Sequence, residues 1–426
     1  MLEINILRTD KQRVIEGLTK RNFTPERLKL VDQIVEMDDR RKFVQTNLDQ
    51  LLARVNANSK EIGSLFKAGD KSQAEVLRQE VTNLKGQIKE LENEQNRLID
   101  DIETALIELP NIPHSSVRQG KSADDNEVYK DWSGPMPEFE GFDPLPHWDL
   151  AEKYNIIDLK LGVKLTGSGF PVFRGKGAKL ERALINFFLD EAEKAGYEEI
   201  MPPLMVNEET ARATGQLPDK EGQMYHIERD KFYLIPTAEV PVTNILRGEI
   251  LSAADLPVQL TGYTPCFRRE AGSYGSDVKG LNRVHQFDKV EIVQIAHPDQ
   301  SYKVLSRMLE HVEQLLIKLE LPYRILRLCG GDMGFTSALT FDFEVFSAAQ
   351  RKWLEVSSVS NFETFQSNRL KLRFREEDGK PQLVHTLNGS ALALARIVAA
   401  ILENNQDSEG VKIPRVLQQF TGFERI

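Results

Sequence analysis

Between Phe267 and Glu291 the chain reads F-R-R-E, then a loop with three glycines (Gly272, Gly275 and Gly280), then R-V-H-Q-F-D-K-V-E. Taken as a strand, a loop and a returning strand, the stretch gathers its polar residues on single faces. Arg268 and Glu270 lie two apart and share a face. Arg283, His285, Phe287, Lys289 and Glu291 are all odd-numbered, so they point one way from a pleated strand. Two cations, a histidine, an aromatic ring and a carboxylate make a poor core, because unpaired charge is costly to bury. The same face makes a good floor for a charged, planar ligand.

Positioning such a face requires a folded frame, and composition bounds what that frame is. At 426 residues the chain exceeds one small core, so two or three domains are expected. Mean hydropathy of −0.39 and 28% charged residues describe a water-exposed globular chain. The net charge of −10 advertises no global affinity for nucleic acid, although a local basic patch can act within an acidic protein. Cys266 and Cys329 are the two cysteines, which excludes a disulfide framework and a four-cysteine zinc site. MLEINILRTD lacks the basic and apolar regions of a signal peptide, and no run approaches the ~20 apolar residues of a membrane span. The expectation is a cytoplasmic protein with no membrane partner.

Residues 28 to 109 are nearly free of proline and glycine and carry 4-3 heptad spacing. One seam runs from Leu30 through Ile34, Val44, Leu48 and Val55 to Leu65, and a second from Leu77 through Leu84, Ile88 and Ile102 to Leu109. Such stripes predict a coiled coil. Between them Gly69 reads as a helix stop and Asp70 as an N-cap, so short a link favouring an antiparallel hairpin. Arms of about 38 residues would project on the order of 55 Å. Residues 40 to 89 carry ten basic and five acidic side chains, whereas the base of the hairpin is strongly acidic. A positive distal half suits a phosphate backbone, though a solvated coiled-coil surface looks the same from charge alone. Pro110, Pro113 and H-S-S-V-R-Q-G-K-S mark a linker over 110–125, dividing a domain at 1–109 from one at 126–426.

Beyond the linker the spacing predicts a helix over 178–194, a short apolar strand over 197–206, strands over 231–235, 258–263, 284–295, 340–346 and 353–357, and helices over 300–319 and 390–404. Strands joined by hairpin-type loops suggest an α+β fold, a largely antiparallel sheet flanked by helices. Neither G-x-G-x-x-G nor G-x-x-x-x-G-K-[ST] occurs, so a Rossmann or P-loop site is unsupported.

Three segments now carry a resemblance. G-Y-E-E-I-M-P-P-L with Pro203, F-R-R-E…R-V-H-Q-F-D-K-V-E, and N-G-S-A-L-A-L-A-R ending at Arg396 are similar, in that order, to the three motifs of class II aminoacyl-tRNA synthetases. T-A-E (Thr237 to Glu239), H-Q-F-D-K-V-E and H-T-L-N-G-S resemble the bacterial-type seryl-tRNA synthetases in particular, and the likeness extends through the N-terminal hairpin. It implies ATP-dependent attachment of L-serine to tRNA(Ser) through a seryl-adenylate, serylation of tRNA(Sec) where an organism has one, a homodimer, and a hairpin that meets the tRNA elbow and long variable arm.

The resemblance also implies roles. Arg268 would hold the α-phosphate of ATP, and Arg283 and Arg396 the distal phosphates or the adenine face, tasks suited to a guanidinium fork. Arg268 and Arg396 would be the catalytic pair. Phe287 would stack on adenine and Glu270 accept from its amine, with Arg269, Val284, Val356 and Ser357 completing the ATP site. Glu355 and Ser358 would ligate Mg²⁺, hard oxygens for a hard cation. Thr237, Ala238, Glu239, Arg268, Glu291, Asn388 and Ser390 would bind serine, its hydroxyl read by Glu291, Thr237 or Ser390. His285 and His385 read as structural histidines, and Lys289 has no assigned task. Val359 stands where the family often has cysteine, and Ala391 and Ala395 where it often has glycine. The loop from Ala271 to Asn282 is expected to flex as ATP and then the tRNA end arrive.

Three alternatives remain: a class II synthetase or paralogue activating another small amino acid, such as proline or threonine, a paralogue that charges a carrier protein or merely binds serine, and a coiled-coil scaffold. Only some thirty residues follow Arg396, too few for the anticodon-binding domain that a prolyl or threonyl enzyme would place there.

Overall fold

The computed structural model describes residues 1–270 and 279–426. The chain divides into two compact units, one of residues 1–19 and 23–110, the other of residues 20–22 and 111–426.

In the first unit, helix α1 (Pro25–Ala68) begins at Thr24, whose side chain accepts from the Arg27 N–H, with proline in the first turn. It ends at Gly69, which takes the left-handed conformation (φ 83°) that a side chain would strain. Asp70 then caps α2 (Lys71–Ile107), its carboxylate accepting from the Gln73 N–H at 3.1 Å. The two helices pack along the two heptad seams: Ile34, Val44, Leu48, Leu84, Ile88 and Ile102 are buried. At the base, Asp38 is buried inside α1 and is held by Arg8 at 2.8 Å, Arg41 at 2.7 Å and Lys42 at 3.0 Å. Farther out, Arg40 pairs with Glu94 and Arg54 with Glu80 between the helices, while Lys60, Lys67, Lys71, Lys85 and Lys89 are exposed.

The stretch expected to be a linker does not stand free. Asn111 Nδ2 donates to the carbonyls of Thr336 and Phe362 at 2.9 and 2.7 Å, and Ile112 and Val117 are buried. Residues 111–125 therefore belong to the second unit, because these hydrogen bonds and apolar contacts tie them to its interior.

That unit is built on eight strands: β1 (Glu127–Lys130), β2 (Glu198–Glu199), β3 (Val258–Phe267), β4 (Gln286–Ala296), β5 (Tyr323–Arg327), β6 (Leu339–Ser347), β7 (Lys352–Asn361) and β8 (His385–Ala393). They lie in the order β1-β5-β6-β7-β8-β4-β3-β2, antiparallel except for β2 against β3. Helices α4 (Lys176–Lys194), α5 (Ser301–Lys318) and α6 (Leu394–Asn404) share one core with the sheet, and a short helix α3 (His147–Lys153) packs beside α6.

Strand β4 shows how sequence period becomes architecture. Its even residues Val290 and Ile292 enter the main core, and its odd residues Val293 and Ile295 enter a second core on the other face. At its N-terminal end the odd face carries Phe287, Lys289 and Glu291 instead, and there the second face opens into a cleft. Two expected boundaries move. Residues 390–393 extend β8 rather than α6, because Ser390 pairs with Glu291 and Ala393 with Lys289. The apolar run 197–206 makes only β2 and a two-residue strand at Met205–Val206, since Pro202 and Pro203 supply no N–H to a ladder.

The arm's stability rests on seam contacts such as Leu84, which is 4% exposed. We expect Leu84→Ala to weaken it by about 2–3 kcal/mol. Amide exchange across residues 71–107 would quicken while the sheet unit keeps its protection.

Candidate active site

The cleft, of about 450 Å³, lies against the N-terminal half of β4 and is lined from β4, β7, β8, the start of α6 and the segment around Thr237. Its floor is an ion pair. Lys289 Nζ lies 2.5 Å from Glu291 Oε2, the two side chains being 7% and 1% exposed. Two neighbours complete the shell: Asn388 Nδ2 donates to Glu291 Oε1 at 3.1 Å, and the Thr237 hydroxyl donates to Oε2 at 3.3 Å. Thr237 Oγ1 in turn accepts from Lys289 Nζ at 2.9 Å and from the Glu239 N–H at 3.2 Å. One donor and two lone pairs are all that a hydroxyl has, so Thr237 is saturated. Burial pushes the Glu291 carboxyl up, and the Lys289 ammonium opposes that.

A second carboxylate, Glu239, stands beside this pair. Gln366 Nε2 donates to its Oε1 at 2.7 Å, and Gln366 Oε1 accepts from the Thr386 hydroxyl at 2.7 Å. Burial, with the negative charge of Glu291 adding to it, pushes Glu239 up to about 7.

The upper cleft is cationic. Arg268 follows the end of β3, donates through Nε to the Pro236 carbonyl at 3.3 Å, and holds its guanidinium 5.3 Å above the Phe287 ring. Arg396, in the first turn of α6, donates to the Asn282 and Glu355 carbonyls at 3.0 and 2.6 Å. Arg283 Nε is 2.5 Å from Glu270 Oε2. Val284, Glu355, Val356, Ser357, Ser358 and Ser390 also line the cleft, as does Ala395; Ala391 is in the core.

Not every expected residue reaches the cleft. Arg269 is absent from its lining; its backbone N–H donates to the Gln223 carbonyl at 2.9 Å, which holds the main chain in place. Ala238 packs in the second core, although its neighbours Thr237 and Glu239 face the cavity. Arg283 and His285 precede β4, in a turn, so strict alternation begins only at Phe287. Arg283 nevertheless lines the cleft, whereas His285 turns away, its ring stacked on Phe170 with centroids 5.3 Å apart and its Nδ1 3.0 Å from Tyr225 Oη. His385 Nδ1 meets the Ser301 hydroxyl at 2.8 Å. Of the loop expected to flex, residues 271–278 lie outside the described residues.

Three contributors escaped the sequence. Lys289 was visible on the right face but lacked a partner until Glu291 closed on it. Gln366, a buried polar residue on the short helix Thr364–Leu370, carries no motif. Asp342 is paired opposite Ser358, is half-buried with an enclosed Oδ1 lacking a hydrogen-bond partner, and is pushed well above the usual carboxylate range by burial and by Glu355.

An antiparallel sheet of this order, with Arg268 beyond one strand and Arg396 at the head of a helix over one cleft, defines a class II aminoacyl-tRNA synthetase core. Residues 224–405 match the tRNA synthetase class II core domain (G, H, P, S and T), and residues 1–113 match the seryl-tRNA synthetase N-terminal domain. A serine–tRNA ligase of Salinibacter ruber is 53% identical, the alignment covering 100% of this chain and 99% of that protein. The crystal structure of seryl-tRNA synthetase from Pyrococcus horikoshii complexed with ATP superposes with a TM-score of 0.93 at 36% identity, covering 100% of this chain and 99% of the other. A cytoplasmic serine–tRNA ligase from Naegleria fowleri in complex with AMP gives 0.89 at 25% identity, covering 100% and 98%. The chain belongs to the seryl-tRNA synthetase family.

Glu239 makes the floor sensitive to pH. Its folded value near 7 lies above its ordinary 4.5, so the folded state holds the extra proton between them. Stability is therefore fullest below about 4.5 and falls as pH rises through about 7. Glu239→Gln removes that loss. Its melting temperature relative to the parent should climb from about pH 5 to about pH 8. A difference independent of pH contradicts the placement.

Proposed function

We infer that the chain is an ATP-dependent ligase that joins L-serine to tRNA(Ser) through a seryl-adenylate. The observation that carries this is one cavity holding an acidic, hydrogen-bonding floor and a cationic upper wall. Adenylate formation brings a carboxylate against the α-phosphate, two anions that repel. The protein's task is alignment and charge neutralisation rather than nucleophilic attack. The serine carboxylate attacks the α-phosphorus, the bond to pyrophosphate breaks, and the tRNA terminal hydroxyl then displaces AMP from the acyl carbon.

The place of each side chain supports a role. Arg268 bridges the serine carboxylate and the α-phosphate, because this wall cation also acts by its charge on Glu239 and Glu291 of the floor. Glu239 takes the substrate ammonium. With Thr237 saturated, the substrate hydroxyl falls to Glu291 and Ser390. Alanine then leaves those groups unpaired, which a site built for a hydroxyl rejects strongly, and threonine adds a methyl to a closed floor. On ATP binding the Arg283–Glu270 pair opens: Arg283 turns to phosphate, Glu270 accepts from the adenine amine, and Phe287 offers its ring. Arg396 meets the distal phosphates.

Glu355 and Ser358 fit Mg²⁺. Both are oxygen donors in the cleft, and Asp342, opposite Ser358, has an Oδ1 without a hydrogen-bond partner and a carboxyl pushed up by burial and by the charge of Glu355, a crowding of carboxylates that a dication would relieve. Bound there, the ion would neutralise charge on the phosphates.

The exposed lysines of α1 and α2 suit the tRNA backbone, read by shape more than by base. The same mode of recognition extends to tRNA(Sec) where an organism has one. The apolar residues Met201, 88% exposed, and Leu204 and Met205 follow edge strand β2, and a homodimer would cover them. Among the described residues no helix is long and apolar enough to cross a membrane; a cytoplasmic location agrees with that.

Deleting residues 35–100 tests the division of labour. We expect loss of tRNA charging with serine-dependent ATP–pyrophosphate exchange retained. Survival of both activities would remove the arm from the reaction.

A further inference from the structure

Behind the cationic wall runs a buried polar chain that the reaction itself does not use. His147 and Glu403 are 1% and 0% exposed. The imidazole Nδ1 lies 2.7 Å from Glu403 Oε1, and the Leu281 N–H donates to Nε2 at 2.8 Å. An Nε2 that accepts must be bare, so the proton sits on Nδ1 and is given to Glu403. Glu403 also accepts the His147 backbone N–H at 3.0 Å, the Ser347 hydroxyl, and Gln350 Nε2 at 3.0 Å. Gln350 Oε1 receives Asn282 Nδ2 at 2.8 Å.

Two branches of this chain, through His147 and through Gln350, end on the limb at Leu281 and Asn282. Leu281 is held through its N–H and Asn282 through its side chain. Lys279 Nζ sits 4.4 Å from the centre of the Trp148 ring. Gly280 takes φ +68° directly against the imidazole, where a Cβ would collide with it. The held limb then does two things in the cleft. The Asn282 carbonyl accepts Arg396 Nε at 3.0 Å, and the next residue is Arg283. Both cations assigned to the distal phosphates thus take their position from a limb pinned by a buried His–Glu pair.

We propose that His147, oriented by Glu403, is a positioning residue for ATP: it fixes Leu281–Asn282 and through them the guanidinium groups of Arg283 and Arg396. This deepens the ATP reading of the cleft and rests on it. The chain touches none of the residues of the serine floor, so ATP and serine affinities should separate.

The substitutions follow from atom positions. Asparagine can still donate to Glu403 in place of Nδ1–H but leaves the Leu281 N–H unpaired. Glutamine places an acceptor near the position of Nε2. In serine-dependent ATP–pyrophosphate exchange with the full chain, His147→Asn should raise the KM for ATP about tenfold. The KM for serine should stay within about twofold. His147→Gln should lie closer to the parent than His147→Asn. Because His147→Asn can fail to fold, Gln350→Leu cuts the other branch from a half-buried position, and it should raise the KM for ATP about threefold. Equal rises for ATP and serine, or an unchanged KM for ATP in folded His147→Asn or Gln350→Leu, overturn the proposal. Arg396→Ala separates the two layers. A raised KM for ATP there with none in the His147 and Gln350 variants sinks the strut alone; an unchanged KM in Arg396→Ala sinks the ATP reading and the strut together.

Discussion

An ammonium and a carboxylate buried 2.5 Å apart at the base of an open cleft set the terms for the rest of the catalytic unit. Such a pair gains little over well-packed apolar residues, yet losing one partner strands a charge, so its surroundings must be complete. Here Asn388 and Thr237 donate to Glu291, and Thr237 accepts from Lys289 and from the Glu239 N–H, all in one consistent direction that leaves Glu291 capacity for a ligand. The sheet makes this possible. Glu291 pairs with Gly262 on one side and Ser390 on the other, so three strands present the floor as one rigid surface. A pocket of this kind is specific because it cannot adapt. A ligand that fails to match its hydrogen bonds leaves buried groups unpaired.

Position along β4 assigns chemistry by a simple rule. Apolar odd residues close the second core at Val293 and Ile295; two turns of the pleat earlier the same face is charged, and the core gives way to a cavity. The cationic wall is then built by residues just outside regular structure: Arg268 after β3, Arg283 before β4, and Arg396 in the first turn of α6. Loop ends give these guanidinium groups reach, and the elements behind them give rigidity. The arm obeys separate physics. Its hairpin is fixed by two heptad seams, a left-handed glycine and an aspartate cap, all within its own unit.

How legible all this was depended on the range of the interaction. The arm could be read to within a few residues, because heptad spacing, Gly69 and Asp70 are local signals. Phe287, Lys289 and Glu291 fell on one face as alternation requires. Alternation failed at Arg283 and His285, where the backbone turns before pairing starts. The end of β8 reads as helix, since N-G-S-A-L-A-L-A-R has good helix formers and it is pairing to β4, and to β7 at Asn388 and Gly389, that holds its first half extended. Ala238 and Arg269 sit in motifs yet face away from the cleft, because a motif names a segment and not each side chain's direction. Gln366 and Asp342 carry no local signal because each is defined by a partner elsewhere on the chain, Thr386 and Ser358, and Lys289, although on the right face, is completed only by Thr237, 52 residues away.

The most direct test is Glu291→Gln, which keeps the shape of the floor and removes the charge that Lys289, Thr237 and Asn388 converge upon. In ATP–pyrophosphate exchange we expect the KM for serine to rise about a hundredfold. The KM for ATP should hold within about twofold. A variant that binds serine as the parent does, or loses ATP and serine affinity in equal measure, would contradict the assignment of this floor to the amino acid.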